Sequence, residues 1–166
     1  MCPMPRRRAH LLRLVGLALG AVVAEPLRAR EAGVVPRIDD LRALAQLAQR
    51  EKQPILLFFS TPGCPFCQTV RSNYLAPRVR EGRSAGAIIR EVQIDGTRTL
   101  LGRDGQPLTE SALARRFDIR AVPVVLLVDA DLQPLSDPLV GYDRAGFYET
   151  YLANAIQTAR ARMAAR

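Results

Sequence analysis

The chain has 166 residues, 48% of them apolar and 5% aromatic, enough for one domain with a substantial core and a short extra segment. Its formal charge is +8, but Arg6, Arg7, Arg8 and Arg13 supply half of that excess at one end, and the other charges are interleaved along the chain. Without a basic stripe carrying interleaved aromatics, and without repeats or low-complexity stretches, nucleic-acid binding and disorder are both set aside.

Taken in chain order, Arg6-Arg7-Arg8, the apolar run Leu11–Ala24 broken only by Arg13, and Val22-Val23-Ala24 before Glu25-Pro26 form the three parts of a secretory signal. The uninterrupted stretch from Leu14 to Ala24 is shorter than the ~20 residues that span a bilayer, so residues 1–24 are expected to be cleaved. Cys2 lies before the apolar run, where a lipoprotein signal would need its Cys at the end. Cleavage would remove Cys2 and His10, leaving two Cys and no His. That excludes imidazole bases and most zinc sites, and neither metal nor cofactor is expected. The expected location is the periplasm, where disulfides persist.

Residues 25–37 read as a linker and 38–166 as the folded domain. Asp39 or Asp40 can cap a helix through about Gln49, with Leu41, Leu44, Ala45, Leu47 and Ala48 on one face. Ile55–Phe59 suits a central strand buried on both faces. Ser60–Gly63 is a turn, and a helix follows from Cys64 to about Ala76, where Pro77 should end it. Ala87–Ile94 reads as a strand, residues 96–108 as a polar loop, and Thr109 as the start of a helix to Phe117. Val124–Val128 is a second buried strand, Leu139–Gly141 a short one, and Arg144–Ala161 a closing helix. This alternation predicts an α/β sandwich with a mixed central sheet flanked by helices.

The chemistry concentrates at Cys64-Pro65-Phe66-Cys67. CxxC at a helix start lets two sulfurs close a small ring without unwinding the helix, and the first faces unpaired N–H groups that favour its thiolate. Cys64 is therefore expected to attack a disulfide and Cys67 to resolve the mixed disulfide. A structural disulfide, half of a metal site and two inert core thiols are the alternatives. Pro123 stands at the threshold of a buried strand, where a trans bond is the default.

These segments resemble the thioredoxin superfamily over roughly residues 38–160. Ile55–Phe59 with Gly63–Cys67 is similar to its strand–CxxC–helix, Phe117–Leu127 to its segment containing a cis-proline, and Val140-Gly141-Tyr142 to its last strand. The resemblance implies a cis Val122–Pro123 bond beside the Cys pair. It also implies a substrate groove of Pro65, Phe66, Val122 and Pro123 that binds an extended chain by backbone hydrogen bonds. The Asp104-Gly105 loop and Leu108-Thr109-Glu110 look most like exported thioredoxin-like proteins of the SoxW type. Three positions depart from the pattern. Phe58 stands where thioredoxins carry a buried Asp, Glu91 where they carry a Lys, and Gly63 where they carry a Trp. Glu91 reads as a solvated strand charge, with a role at Cys67 as the rarer alternative.

The resemblance implies a reductant of disulfides in exported client proteins, supplied with electrons by a membrane partner. A disulfide-forming oxidase or isomerase and a non-catalytic binding module of the same fold are the alternatives. Phe66 offers a thiolate no donor, which implies a less extreme oxidant than the family's CPHC proteins.

Overall fold

Six consecutive residues, Ile55–Ser60, are buried without exception. Such a strand has no face for water, so it must lie inside a sheet covered on both sides. The computed structural model, which describes Met1 and residues 34–165, places it there as β1. The expected signal segment, residues 1–24, lies outside the described residues.

The sheet has the order β2-β1-β5-β6. β2 (Ile88–Gln93) runs parallel to β1, while β5 (Val124–Val128) and β6 (Leu139–Val140) add antiparallel neighbours. The mixed sheet expected from the sequence is therefore present.

The pleat divides the core in two. Leu56, Phe58, Ile89, Val125 and Leu127 face α2 (Pro65–Val70), α3 (Ala76–Glu81) and α5 (Tyr148–Ala164). Ile55, Leu57, Phe59, Val92, Val124 and Leu126 face α1 (Leu41–Glu51) and α4 (Glu110–Arg116). Asp40 caps α1, its carboxylate accepting from the backbone N–H of Arg42 at 2.7 Å and of Ala43 at 3.3 Å. Thr109 caps α4 through its hydroxyl, which accepts from Ala112 N–H at 3.2 Å.

Three expectations are corrected. The helix after Cys64 does not end at Pro77: α2 passes through a π-helical turn, Arg71–Leu75, into α3. Ala76 N–H reaches back to Arg71 C=O, and this wider turn precedes Pro77, which has no N–H to lose and sits at the start of the next α-helical leg. The segment 96–108 is not a plain polar loop. Thr99–Leu101 (β3) pairs antiparallel with Pro107–Thr109 (β4), and Leu100 is buried. Its few apolar residues suffice because they are clustered on either side of a turn at Gly102–Gly105. Residues 34–37, the end of the expected linker, lie on the fold. Val35 is in the core, Pro36 C=O accepts from Glu91 N–H at 2.8 Å, and Arg37 pairs alongside β2 at Glu91.

α5 delivers Tyr148 to the core, where its hydroxyl is buried with no hydrogen-bond partner among the described residues. Burial first, and Tyr74 second, raise its pKa above the ordinary tyrosine value. The folded state thus keeps a proton that the unfolded chain loses above about pH 10, and stability should fall as pH rises past that point. Tyr148→Phe removes an unsatisfied group and is expected to raise stability by ~1 kcal/mol at neutral pH. It should also flatten the alkaline fall; urea unfolding at neutral pH and above pH 10 checks both.

Candidate redox site

β1 ends at Ser60, and the turn that follows carries Gly63 at φ +75°, a left-handed conformation that suits glycine. Cys64 is then extended (φ −78°, ψ 110°) and caps α2, its Sγ accepting from Cys67 N–H at 3.1 Å. Pro65 occupies the first turn of the helix, where its missing N–H is no loss. Cys64 and Cys67 form a disulfide with Cα atoms 5.2 Å apart.

The two sulfurs differ in access. Cys67 is fully buried against Leu56, Phe58 and Val70, whereas Cys64 is partly exposed. An attacking partner therefore reaches Cys64 first, and Cys67 is placed to act from behind.

One side of Cys64 is apolar. The Val122–Pro123 bond is cis, and Pro123 is buried at the threshold of β5. Pro123 C=O accepts from Gly141 N–H at 2.8 Å, tying this loop to β6. Phe66, 42% exposed, stacks on Tyr142 with centroids 6.1 Å apart, and the Arg144 guanidinium lies 5.3 Å from the Phe66 centroid. Tyr74 and Tyr148 extend the cluster behind Tyr142. Hydrogen bonding to Tyr142 first, and burial second, raise the Tyr74 pKa above its ordinary value. Of the expected groove residues, Val122 and Cys64 pack against the same core cluster, Pro123 is buried next to Val122, Phe66 stacks on Tyr142, and Pro65 borders, with Cys64, the space on the opposite side.

The other side is charged. Glu91 is buried, not solvated: it accepts from the Ser60 hydroxyl and, at 3.0 Å, from Arg71 Nε. Its position follows from register. Glu91 sits directly beside Phe58 across the β1–β2 ladder, on the face covered by α2. Arg71 follows Cys67 by one helical turn, and its guanidinium lies 5.6 Å from the Phe58 centroid. The acid absent from position 58 thus reappears one strand away, already paired with a base. Arg37 adds a second cation, donating from Nε to the buried Glu110 at 2.8 Å and from Nη2 to Gln93 at 3.2 Å.

Sequence reading missed Arg71, Arg37, Ser60 and the tyrosine cluster. The spacing of Cys67 and Arg71 by four residues was the available signal for Arg71. Arg37 carried none, because it fell within the expected linker. Among the described residues there is no group of three or more His, Cys, Asp or Glu side chains able to hold a metal.

A family model described as a thioredoxin-like domain matches residues 41–156. None of the curated proteins matches the chain. Among solved structures, the DsbH oxidoreductase is 14% identical with a TM-score of 0.52, the match covering 83% of this chain and 94% of that one. The C-terminal domain of DsbD from Neisseria meningitidis, in oxidised form, is 18% identical, with a TM-score of 0.49 and coverage of 72% and 98%. The periplasmic thioredoxin SoxS from Paracoccus pantotrophus, in reduced form, is 24% identical, with a TM-score of 0.43 and coverage of 64% and 99%.

Removing one partner of the Glu91–Arg71 pair leaves a buried charge uncompensated. Arg71→Met is expected to lower stability by ~3 kcal/mol. Adding Glu91→Leu to that variant should restore most of the loss, as measured by urea unfolding of the oxidised protein.

Proposed function

The chain belongs to the thioredoxin-like domain family, and from that membership we propose that it is an exported protein thiol–disulfide oxidoreductase that reduces disulfides in client proteins. The observation that carries this reading is the unequal exposure of a bonded pair: Cys64 partly open at a helix start, Cys67 buried behind it.

In the reduced protein, the Cys64 thiolate attacks one sulfur of a client disulfide. That S–S bond breaks, the far sulfur leaves as a thiolate and takes up a proton, and Cys64 is joined to the client. Cys67, deprotonated, attacks Cys64 Sγ, expels the second client sulfur and closes the Cys64–Cys67 bond. Two electrons pass from the protein's dithiol to the client. The first thiolate is favoured by the start of α2, where Cys67 N–H already points at Cys64 Sγ.

The apolar side formed by Phe66, Val122 and Pro123 is the expected seat of the client chain. The reducing direction is supported by Phe66, which gives the Cys64 thiolate no hydrogen-bond donor of its own. Export rests on the amino-terminal pattern of residues 1–24, and it requires a membrane protein to return electrons to the Cys pair.

The reduction potential of the pair, titrated against glutathione and read by thiol-labelling mass, tests the direction. A value near or below about −270 mV is expected, and one near about −120 mV would make the protein an oxidant. Cys67→Ser should accumulate mixed disulfides with exported proteins, and Cys64→Ser should abolish them. Unaltered cellular function in Cys64→Ser would identify a non-catalytic binding module instead.

A further inference from the structure

The aromatic flank of Cys64 carries a cation without a counter-ion among the described residues. Arg144 is exposed, and its guanidinium lies 5.3 Å from the Phe66 centroid, where the ring attracts it without occupying its N–H donors. Among the described residues it makes no ion pair and no hydrogen bond. We propose that Arg144 selects clients that carry an acidic side chain two residues from the cysteine that Cys64 attacks. The inference rests on the exchange chemistry proposed above and deepens it by naming a substrate class.

The neighbouring charges are already satisfied. Across Cys64, Arg71 is held by Glu91 and Arg37 by Glu110. Arg120, just before the cis bond, pairs with Asp118 at 2.8 Å, and Arg78 pairs with Glu149. Asp143, the acid beside Arg144 in the chain, is turned towards α5. One of its oxygens accepts from Ala145 N–H at 2.7 Å and the other from Phe147 N–H at 2.8 Å. Of these cations, Arg144 is thus the one left to an incoming carboxylate.

The loop that carries it is braced at both ends. Gly141, at φ +83°, turns the chain out of β6 and donates to Pro123 C=O at 2.8 Å. The Asp143 bonds tie the other end to the start of α5, and between them Tyr142 stacks on Phe66. Arg144 therefore stands on a loop joined both to the cis-proline and to the segment between the two cysteines. A backbone held in this way has little freedom left to lose when a client arrives.

The place of the acid follows from an extended client. Side chains alternate along such a chain, so when the client cysteine points at Cys64 its immediate neighbours point away. The residues two positions off point at the protein again. Two residues cover roughly 7 Å, which takes a client joined at Cys64 across Phe66 to the cation against it. An acid there meets Arg144 and a lysine there is repelled. Exposed charge contacts of this kind act mainly on the association rate and weaken with salt.

The test uses the reduced protein in a Cys2→Ser background, which leaves Cys64 and Cys67 as its cysteines. Its substrates are extended peptides whose single cysteine is joined to pyridine-2-thiol as a disulfide. Cys64 thiolate attacks the peptide sulfur, and pyridine-2-thione leaves with the electron pair of the broken S–S bond and takes up a proton. Cys67 thiolate then expels the peptide thiol, so the dithiol is oxidised and the mixed disulfide becomes two thiols. Release of the thione gives the rate. With Glu, Gln or Lys two residues before or after the cysteine, rates should fall in that order in at least one placement. Glu should exceed Lys at least about threefold at low salt, and by less at about 0.5 M salt. Arg144→Glu should reverse the order. Arg162→Glu, the same charge change about 20 Å along α5 from Tyr148, should leave it. A ratio below about threefold, an order that survives Arg144→Glu or is lost in Arg162→Glu, or an equal preference one residue from the cysteine overturns the inference. If insulin disulfides are still reduced in that case, only this inference fails. If neither the peptides nor insulin react, the exchange reading fails and takes this inference with it.

Discussion

Everything at the site depends on the burial of β1. A strand with no exposed position can occupy only the interior of a sheet, and its two neighbours, β2 and β5, follow from that. The chain must then leave the sheet at Ser60, and the next regular element must cross one face. The turn at Gly63 makes that change of direction, so Cys64 emerges where the strand's cover ends and Cys67 returns beneath it. The difference in access between the two sulfurs is therefore a product of core packing, expressed through a four-residue turn.

The same packing explains where charge is tolerated. Position 58 points at α2 and is filled by a phenylalanine that packs with Cys67 and Val70. A carboxylate there would have no partner on β1. On β2, Glu91 lies beside Phe58 but within reach of both Ser60 and Arg71, and a buried charge with hydrogen bonds and a counter-ion is sustainable. Arg71 in turn lies over the Phe58 ring, so the aromatic residue that displaces the acid also supports its partner.

Much of this was legible in the sequence because the signals were local. Asp40 before a helical apolar pattern marks the start of α1, the unbroken run at 55–59 marks the sheet centre, and CxxC after that run locates the sulfurs. The features that escaped were set by distant contacts. Whether Glu91 is solvated depends on a helix twenty residues earlier in the chain. Whether Arg37 belongs to the fold depends on pairing with β2 and on Glu110, seventy-three residues away. Leu100 and Leu108 lie in or next to the segment read as a polar loop, yet they face each other across a hairpin, and the backbone pairing does the rest. Pro77 misled for a different reason: the rule that it ends a helix assumes regular α-geometry before it, and the π-helical turn removes that assumption.

That turn has a consequence for the whole arm from Cys64 to Glu81. One extra residue in a helical turn shifts the angular phase of everything after it by about 100°. Tyr74 is thereby directed towards Tyr142 and Tyr148, and Leu75 takes the place in the core that an unbroken helix would have given its predecessor. The second leg, with Arg78 bound to Glu149 of α5, is aligned by its own contacts. The arm thus carries two angular settings, the first fixed by Cys67 and Val70 in the core and the second by the Arg78–Glu149 pair with α5.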